Sequence, residues 1–170
     1  MDSLSESVES AGAAEFVASA RRGLWCWRGV SLDSTGGAPD QGVLTTHPDR
    51  RPRSMSIELS RACDDWFEER FGWRARSNHS LFVSGSRDQA MQFGTPVVVI
   101  PMTPARYVWS PRIADLTRHL EALGVLQAEQ IPTVLEAGGY RDADLEAAIV
   151  SGHEIMVRAE RYCWSAVPVV

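Results

Sequence analysis

Two serines stand at a short turn that the sequence predicts between a strand and a helix. Leu81 to Val83 is an apolar segment that favours a buried strand, and Ser86 lies three residues before Gln89, the spacing of a helix-capping box. Ser84 and Ser86 therefore stand at a strand–turn–helix corner. Hydroxyls at such a corner can orient a catalytic group, and the amides at a helix start favour anions. The same pattern is also typical of an ordinary junction, where serine and glycine are common.

Arg28 is a charged residue near the end of a segment that otherwise suits a buried strand. The segment from Gly23 to Val30 is rich in aromatic and apolar residues. A buried arginine needs an anionic partner, which is either a structural carboxylate or the phosphate of a ligand. The sequence leaves both possibilities open.

Glu154 stands where the chain enters the first of two C-terminal strands. Ile155 to Val157 and Arg161 to Val169 favour strands, and the short turn between them predicts a terminal hairpin. A carboxylate at the mouth of a hairpin is usually exposed, so its replacement by glutamine is expected to cost little stability. Its importance depends on which residues lie beside it.

These three features occur in a fixed order along the chain: Trp27-Arg28-Gly29, then Phe82 to Phe93, then His153-Glu154-Ile155. Together they resemble the arginine–serine–glutamate pattern of the mono-ADP-ribosyltransferases, over roughly residues 23 to 165. The spacing is similar too, with a helix between the first two motifs and the glutamate near the C-terminus. The resemblance implies an α+β fold of two small facing sheets, antiparallel or mixed, with flanking helices and an NAD cleft.

The resemblance also implies NAD-dependent mono-ADP-ribosyl transfer to a macromolecular acceptor, a protein or a nucleic acid, with release of nicotinamide. The nicotinamide–ribose bond breaks through an oxocarbenium-like state, whose positive charge a carboxylate stabilises. By this resemblance Glu154 has that role, Ser84 holds Glu154, and Arg28 pairs the phosphates with its guanidinium fork. The implied NAD contacts are Arg28, Gly29, Ser84, Ser86, Phe93 and Tyr107; no metal is implied.

Phe93 has two interpretations. By its distance from the serine corner it matches the aromatic residue that family members set against nicotinamide, with Tyr107 or Trp109 as substitutes. Its helical spacing after Ala90 also explains it as a core residue.

The chain departs from the family pattern at two positions. Members that modify arginine carry a second glutamate two residues before the catalytic one, and here that position is Gly152. Arginine is therefore not the expected acceptor, and the acceptor stays open. The corner also reads Ser84-Gly85-Ser86 where Ser-Thr-Ser is usual.

Two alternatives to an active transferase remain. One is a catalytically silent module of the same fold that binds a nucleotide or a partner protein. The other is an RNA 2′-phosphotransferase, which has a related fold but uses a basic histidine and arginine set. Only His153 lies beside a proposed catalytic position, so the second alternative has less support.

The composition is typical of one globular domain. The 170 residues are 44% hydrophobic and 23% charged, and the net charge of -5 argues against broad nucleic-acid binding. We expect a flexible N-terminus over residues 1 to 10 and a single domain over residues 11 to 170. The sequence shows neither a membrane-length apolar run nor a signal-peptide pattern, so we expect a cytoplasmic protein with no membrane partner. Cys26, Cys63 and Cys163 are odd in number and far apart, so they indicate neither a disulfide framework nor a metal site. The aromatic neighbours of Cys26 and Cys163 predict buried free thiols in strands.

Several further elements follow from local patterns. An apolar face predicts a helix from Ser56 to Phe71, ended by Gly72. The other predictions are strands at Trp73–Val83, Pro96–Ile100 and Arg106–Trp109, a helix starting at Ser110-Pro111 and a helix capped by Asp142. The segment from Thr45 to Arg53, with Arg50, Arg51 and Arg53, is either a solvated loop or a site that docks an anion.

Overall fold

The computed structural model describes residues 13–31, 41–48 and 55–168. Its strands are β1 (Trp27–Val30), β2 (Gln41–Thr45), β3 (Ser80–Ser84), β4 (Thr95–Pro101), β5 (Arg106–Trp109), β6 (Glu154–Arg158) and β7 (Arg161–Ser165). Its α-helices are α1 (Ala14–Arg21), α2 (Ile57–Phe71), α3 (Arg87–Met91), α4 (Leu116–Ala122), α5 (Ile131–Gly138) and α6 (Leu145–Ser151), and a 3-10 turn spans Ala128–Gln130. The predicted flexible N-terminus and the arginines at positions 50, 51 and 53 lie outside the described residues.

The longest helix, α2, begins and ends where its sequence signals stand. The Ser56 hydroxyl accepts a hydrogen bond from the Leu59 amide at 3.2 Å, which satisfies one of the amides at the helix start. Gly72 adopts a left-handed φ of 75° and ends the helix. The buried face carries Cys63, Trp66 and Phe67. The prediction of this helix is confirmed.

The predicted start of the strand before the serine corner is wrong. The strand β3 begins at Ser80 and not at Trp73. Asn78 and His79 have positive φ values of 45° and 64°, in the left-handed region that an extended strand does not contain. The segment from Trp73 to His79 is therefore an irregular connection, and its side chains are not placed by strand alternation.

Two predicted helix starts are also wrong. The helix α4 begins after Asp115, whose carboxylate accepts a hydrogen bond from the Arg118 amide at 2.9 Å. Ser110 instead closes a turn, because its buried hydroxyl accepts from the Ile113 amide at 2.8 Å. The helix α6 follows Asp144 rather than Asp142. At α4 a carboxylate caps the helix five residues after the predicted serine, whereas the Asp144 side chain forms no capping hydrogen bond at the start of α6.

All seven described strands form one antiparallel sheet in the order β2-β7-β4-β1-β3-β6-β5. The α+β class is confirmed. The expected two sheets are not found, because the hydrogen bonds join the described strands into one sheet. The link between its two halves is the register pair of Trp27 on β1 with Ser84 on β3. Beyond that pair, β1 continues along β4 and β3 continues along β6.

The predicted terminal hairpin is wrong, because β6 and β7 do not pair with each other. β6 pairs with β3 and β5, while β7 pairs with β2 and β4. In a flat sheet their positions would lie about 19 Å apart, at about 4.8 Å per pairing. Ala159 and Glu160 alone join them, and that connection spans at most about 11 Å. The sheet is therefore folded back on itself, and the Tyr162 hydroxyl on β7 donates to the Val157 carbonyl on β6 at 2.9 Å.

The largest apolar cluster takes side chains from both halves of the folded sheet, and we call the face that bears it the inner face. Its members include Leu81, Val83, Val97, Val99, Ile155, Val157, Tyr162 and Trp164, with Phe16 of α1 and Leu145 and Ile149 of α6. On the outer face, helices α2, α4 and α5 cover Val108 and Met156, and α3 covers Trp27 and Val98. None of the described helices is long and apolar enough to cross a membrane.

Candidate functional site

Ser84 and Glu154 are direct register partners where β3 ends and β6 begins. Residues opposite each other in an antiparallel pair project to the same face, so both side chains lie on the outer face. The Ser84 hydroxyl lies 2.6 Å from the carbonyl oxygen of Gly152 and 3.0 Å from Oε1 of Gln89. The expected hydrogen bond from Ser84 to Glu154 is not formed, because the backbone of Gly152 takes the hydroxyl proton instead.

The carboxylate of Glu154 is held by a buried arginine, Arg76, which the sequence analysis did not identify. Nη1 of Arg76 donates to Oε1 of Glu154 at 2.9 Å, and the Leu116 amide donates to the same oxygen at 3.5 Å. The side chain of Arg76 is 2% exposed and that of Glu154 is 12% exposed. Within the described part of the chain, Oε2 of Glu154 makes no hydrogen bond. One carboxylate oxygen is therefore anchored, and the other has no hydrogen-bond partner among the described residues.

Arg76 is itself fixed from several sides. Its backbone amide donates to Asp64 of α2 at 2.7 Å, and Nη2 donates to the Thr117 hydroxyl at 3.0 Å. The guanidinium carbon lies 4.3 Å from the centre of the Phe82 ring. Nothing in the spacing around Trp73 distinguishes Arg76 from the exposed Arg74, so the sequence carried no signal for this residue.

The surroundings of Glu154 disfavour charge. Burial raises the pKa of the Glu154 carboxyl above its ordinary value, while the Arg76 guanidinium lowers it in part and Asp115 adds to the rise. Burial also raises the pKa of Tyr140 well above its ordinary value, and Glu154 contributes to that rise. The ion pair with Arg76 therefore offsets part of the cost of burying the Glu154 carboxylate.

Arg28 lies on the strand next to Ser84 but belongs to the other face of the sheet. Its register partner is Val97, which packs in the inner cluster. Nη1 of Arg28 donates to the Phe82 carbonyl at 3.3 Å, where β1 and β3 part. The three predicted motifs thus lie on adjacent strands, while the side chains of Arg28 and Glu154 start from opposite faces.

Close backbone approaches explain two glycines of the predicted motifs. A Cβ on Gly85 would lie 1.7 Å from the carbonyl oxygen of Ile149, so no threonine fits between the two serines of this corner. A Cβ on Gly29 would lie 2.3 Å from the carbonyl oxygen of Ala90, because α3 packs directly on β1. Ser86 caps α3 as predicted, accepting from the amide three residues later at 3.2 Å.

The two predicted aromatic contacts differ in placement. Phe93 is 59% exposed just after α3, and the Arg118 guanidinium carbon lies 5.8 Å from its ring centre. The interpretation of Phe93 as a core residue is therefore wrong. Tyr107 is buried in the inner cluster against Phe16, and burial raises the pKa of its hydroxyl to about 12. Phe93 is thus at the surface, whereas Tyr107 is a core residue away from Glu154.

The segment before α4 covers the Glu154 end of the sheet. The Ala114 carbonyl accepts hydrogen bonds from the Glu154 amide at 2.8 Å and from Nε2 of Gln89 at 3.4 Å. Nδ1 of His153 lies 2.8 Å from the Ser110 carbonyl oxygen. Residues 110–114 therefore pack over the start of β6.

The described fold and site define an α+β protein with a folded antiparallel sheet and a buried arginine–glutamate pair beside a serine corner. Among the described residues, no group of three histidine, cysteine, aspartate or glutamate side chains is arranged to hold a metal ion. Comparison of the chain with protein-family models, with curated proteins and with solved structures finds no match.

Proposed function

We propose that this protein is an NAD-dependent mono-ADP-ribosyltransferase that modifies a macromolecular acceptor and releases nicotinamide. The observation that carries the proposal is the adjacency of β1, β3 and β6, the strands that bear Arg28, Ser84 and Glu154. These residues are 56 and 70 positions apart along the chain, and the strand order places them on three neighbouring strands. The direct register of Ser84 with Glu154 supports the same proposal.

In this proposal Glu154 stabilises the transition state. Arg76 and the Leu116 amide hold Oε1, and Oε2 accepts a hydrogen bond from a ribose hydroxyl while its charge stabilises the oxocarbenium-like ribose. A fixed carboxylate with little water around it interacts strongly with a developing cation. Ser84 positions Glu154 indirectly, by binding the carbonyl of Gly152 two residues earlier.

The remaining predicted residues have binding roles in the proposal. Arg28 stands where β1 and β3 part and pairs the phosphates of NAD, and the exposed ring of Phe93 stacks on nicotinamide. Ser86 contributes by capping α3 at the corner, and Gly29 contributes by allowing α3 to pack closely on β1. Tyr107 has no part, since its ring is packed in the inner cluster.

The decisive experiment incubates the protein with NAD and measures nicotinamide by chromatography. We expect the parent protein to release nicotinamide and Glu154→Gln to lose on the order of 100-fold or more of the rate. The matched control is Glu136→Gln, an exposed glutamate on α5, which should keep the parent rate. A Glu154→Gln protein that releases nicotinamide at the parent rate contradicts the role of Glu154.

A second variant keeps this test valid if Glu154→Gln is poorly folded. Glu154 is the counter-ion of Arg76, so the single change leaves a buried guanidinium without a carboxylate. Arg76→Gln combined with Glu154→Gln removes both charges and lets two amides face each other. A folded double variant should also be inactive, because the carboxylate is still absent.

A non-catalytic module that binds a nucleotide or a partner protein is the second candidate. It is favoured by the 12% exposure of the Glu154 side chain and by the start of Arg28 on the opposite face. This candidate predicts no nicotinamide release by the parent protein, and no change in ligand affinity on Glu154→Gln. An RNA 2′-phosphotransferase has less support, because Nδ1 of His153 is already engaged by the Ser110 carbonyl.

A further inference from the structure

A second polar site lies at the other end of β6. Glu154 and Arg158 are the first and last residues of that strand, which separates them by about 13 Å at about 3.3 Å per residue. Arg158 stands directly opposite Arg106 on β5 and opposite Ser80 on β3. Because register partners share a face, the two arginines project from the outer face side by side.

Neither arginine forms an ion pair with a carboxylate of the described residues. In the part of the chain that the structure describes, the half-buried Arg158 forms neither a hydrogen bond nor an ion pair. Arg106 donates through Nη2 to the Phe71 carbonyl at the end of α2 and makes no ion pair there. Like charges directly opposite on neighbouring strands destabilise a sheet, and a partly buried arginine calls for an anion.

A surface pocket of about 370 Å³ lies at these two residues. The other residues that line it include His79, Thr103 and Glu160. Glu160 is exposed, in the turn after β6, and forms no ion pair with Arg106 or Arg158. Two arginines therefore line the pocket, and neither has an anionic partner among the described residues.

Nδ1 of the His79 ring is hydrogen-bonded to Thr46, and Nε2 can contact a ligand. The Thr46 hydroxyl donates its single proton to the Ala159 carbonyl at 2.8 Å, and lies 3.0 Å from Nδ1 of His79. Nδ1 must then carry the hydrogen that Thr46 accepts, which leaves Nε2 for a ligand. His79 keeps this position in a left-handed backbone conformation that costs energy for a residue with a side chain.

We propose that this pocket binds the phosphate group of a small phosphorylated ligand. Arg158 and Arg106 pair its oxygens, since a guanidinium fork matches phosphate geometry. Nε2 of His79 accepts the hydrogen bond of the P–OH group of a singly protonated phosphate. The carboxylate of Glu160 and the net charge of -5 disfavour a long polyanion such as a nucleic acid. The site does not depend on the proposed transferase activity.

The test titrates the full chain with inorganic phosphate and with pyrophosphate at constant ionic strength, followed by amide NMR spectra. We expect saturable shifts at His79 and Glu160, and at least a tenfold weaker affinity in Arg158→Gln. The matched control is Arg61→Gln, an exposed arginine of α2 outside the pocket, which should bind as the parent does. Absence of saturable shifts at these amides with both probes overturns the proposal, and so does equal affinity in Arg158→Gln. A short single-stranded RNA that binds there more tightly than pyrophosphate also overturns it.

Thermal stability gives an independent measurement with the same variants. Without phosphate, Arg158→Gln should melt above the parent, because the change removes repulsion from Arg106. Pyrophosphate should raise the melting temperature of the parent and of Arg61→Gln but not of Arg158→Gln. An Arg158→Gln protein that melts below the parent without phosphate makes Arg158 a structural residue and overturns the proposal.

Discussion

The charged residues at the two ends of β6 have different surroundings: one has a counter-ion and the other faces a like charge. At its start, Glu154 is 12% exposed and paired with Arg76 at 2.9 Å, and the Leu116 amide at the start of α4 contacts the same carboxylate. At its end, Arg158 faces a second arginine across the strand pair and borders a pocket. Among the described residues, this strand of five thus carries a neutralised charge and an unpaired one on the same face.

The difference follows from what lies against each end, since Glu154 and Arg158 are both partly buried. A charge taken out of water costs several kcal/mol unless a partner in the chain replaces its hydration, and at the covered end, where the start of α4 lies against Glu154, Arg76 is that partner. At the other end Arg158 borders a surface pocket, where water reaches the guanidinium group and screens its repulsion from Arg106.

Arg76→Met breaks the covered end and should have the largest effect. The change leaves the Glu154 carboxylate buried without its counter-ion, which typically costs about 3–5 kcal/mol in the free energy of unfolding. The control is Arg74→Gln, two residues earlier, whose ion pairs with Asp65 and Glu68 are exposed and should contribute at most about 1 kcal/mol. Urea denaturation measures both. Equal losses for the two variants would mean that the Arg76–Glu154 pair is not a buried one.

Gly85→Ala tests the corner beside Glu154 and should have the next largest effect. The new methyl group would meet the backbone of Ile149, at 1.7 Å from its carbonyl oxygen, so β3 or α6 must shift. Such overpacking typically costs about 1–3 kcal/mol. The melting temperature of the variant checks this, and an unchanged value would show that α6 is not packed against the corner.

The pH dependence of stability sharpens the comparison with a smaller effect. The pKa of Glu154 is higher in the folded state than its ordinary value, mainly because of burial. The folded state therefore binds more protons between the two pKa values, and the stability from this group is lost as the pH rises through that interval. We expect the unfolding free energy of the parent, relative to that of Arg76→Gln/Glu154→Gln, to fall as the pH rises above the ordinary range of a glutamate carboxyl, about 4. A rise over the same range would mean that Arg76 outweighs burial.

Phe93→Ser should have the smallest effect on stability. The ring is 59% exposed, so its loss should change the unfolding free energy by no more than about 0.5 kcal/mol. If the transferase proposal holds, the same variant should raise the KM for NAD in the nicotinamide-release assay. Leu123→Ser, another exposed apolar residue, is the matched control for both measurements. A KM equal to that of the parent removes Phe93 from the site.

Local patterns predicted part of the candidate site because they act between near neighbours. The cap at Ser86, the left-handed Gly72 after α2 and the start of β6 at Glu154 each depend on residues within one turn or one strand. The structure confirms all three. The predicted start of β3 failed because a left-handed pair, Asn78 and His79, interrupts a segment whose composition suits a strand.

Periodicity and capping in the sequence predicted most helix and strand positions, since both act over short range, while the α+β class was an expectation from the resemblance. The pairing of β6 and β7 with different halves of one folded sheet is visible only in the tertiary structure. The short turn between the two strands allows a hairpin but does not require one. The tertiary structure also decided that Arg76, 78 residues before Glu154, is the counter-ion of that carboxylate. A carboxylate that is largely buried needs a counter-ion, and the path of the whole chain determines which arginine reaches it.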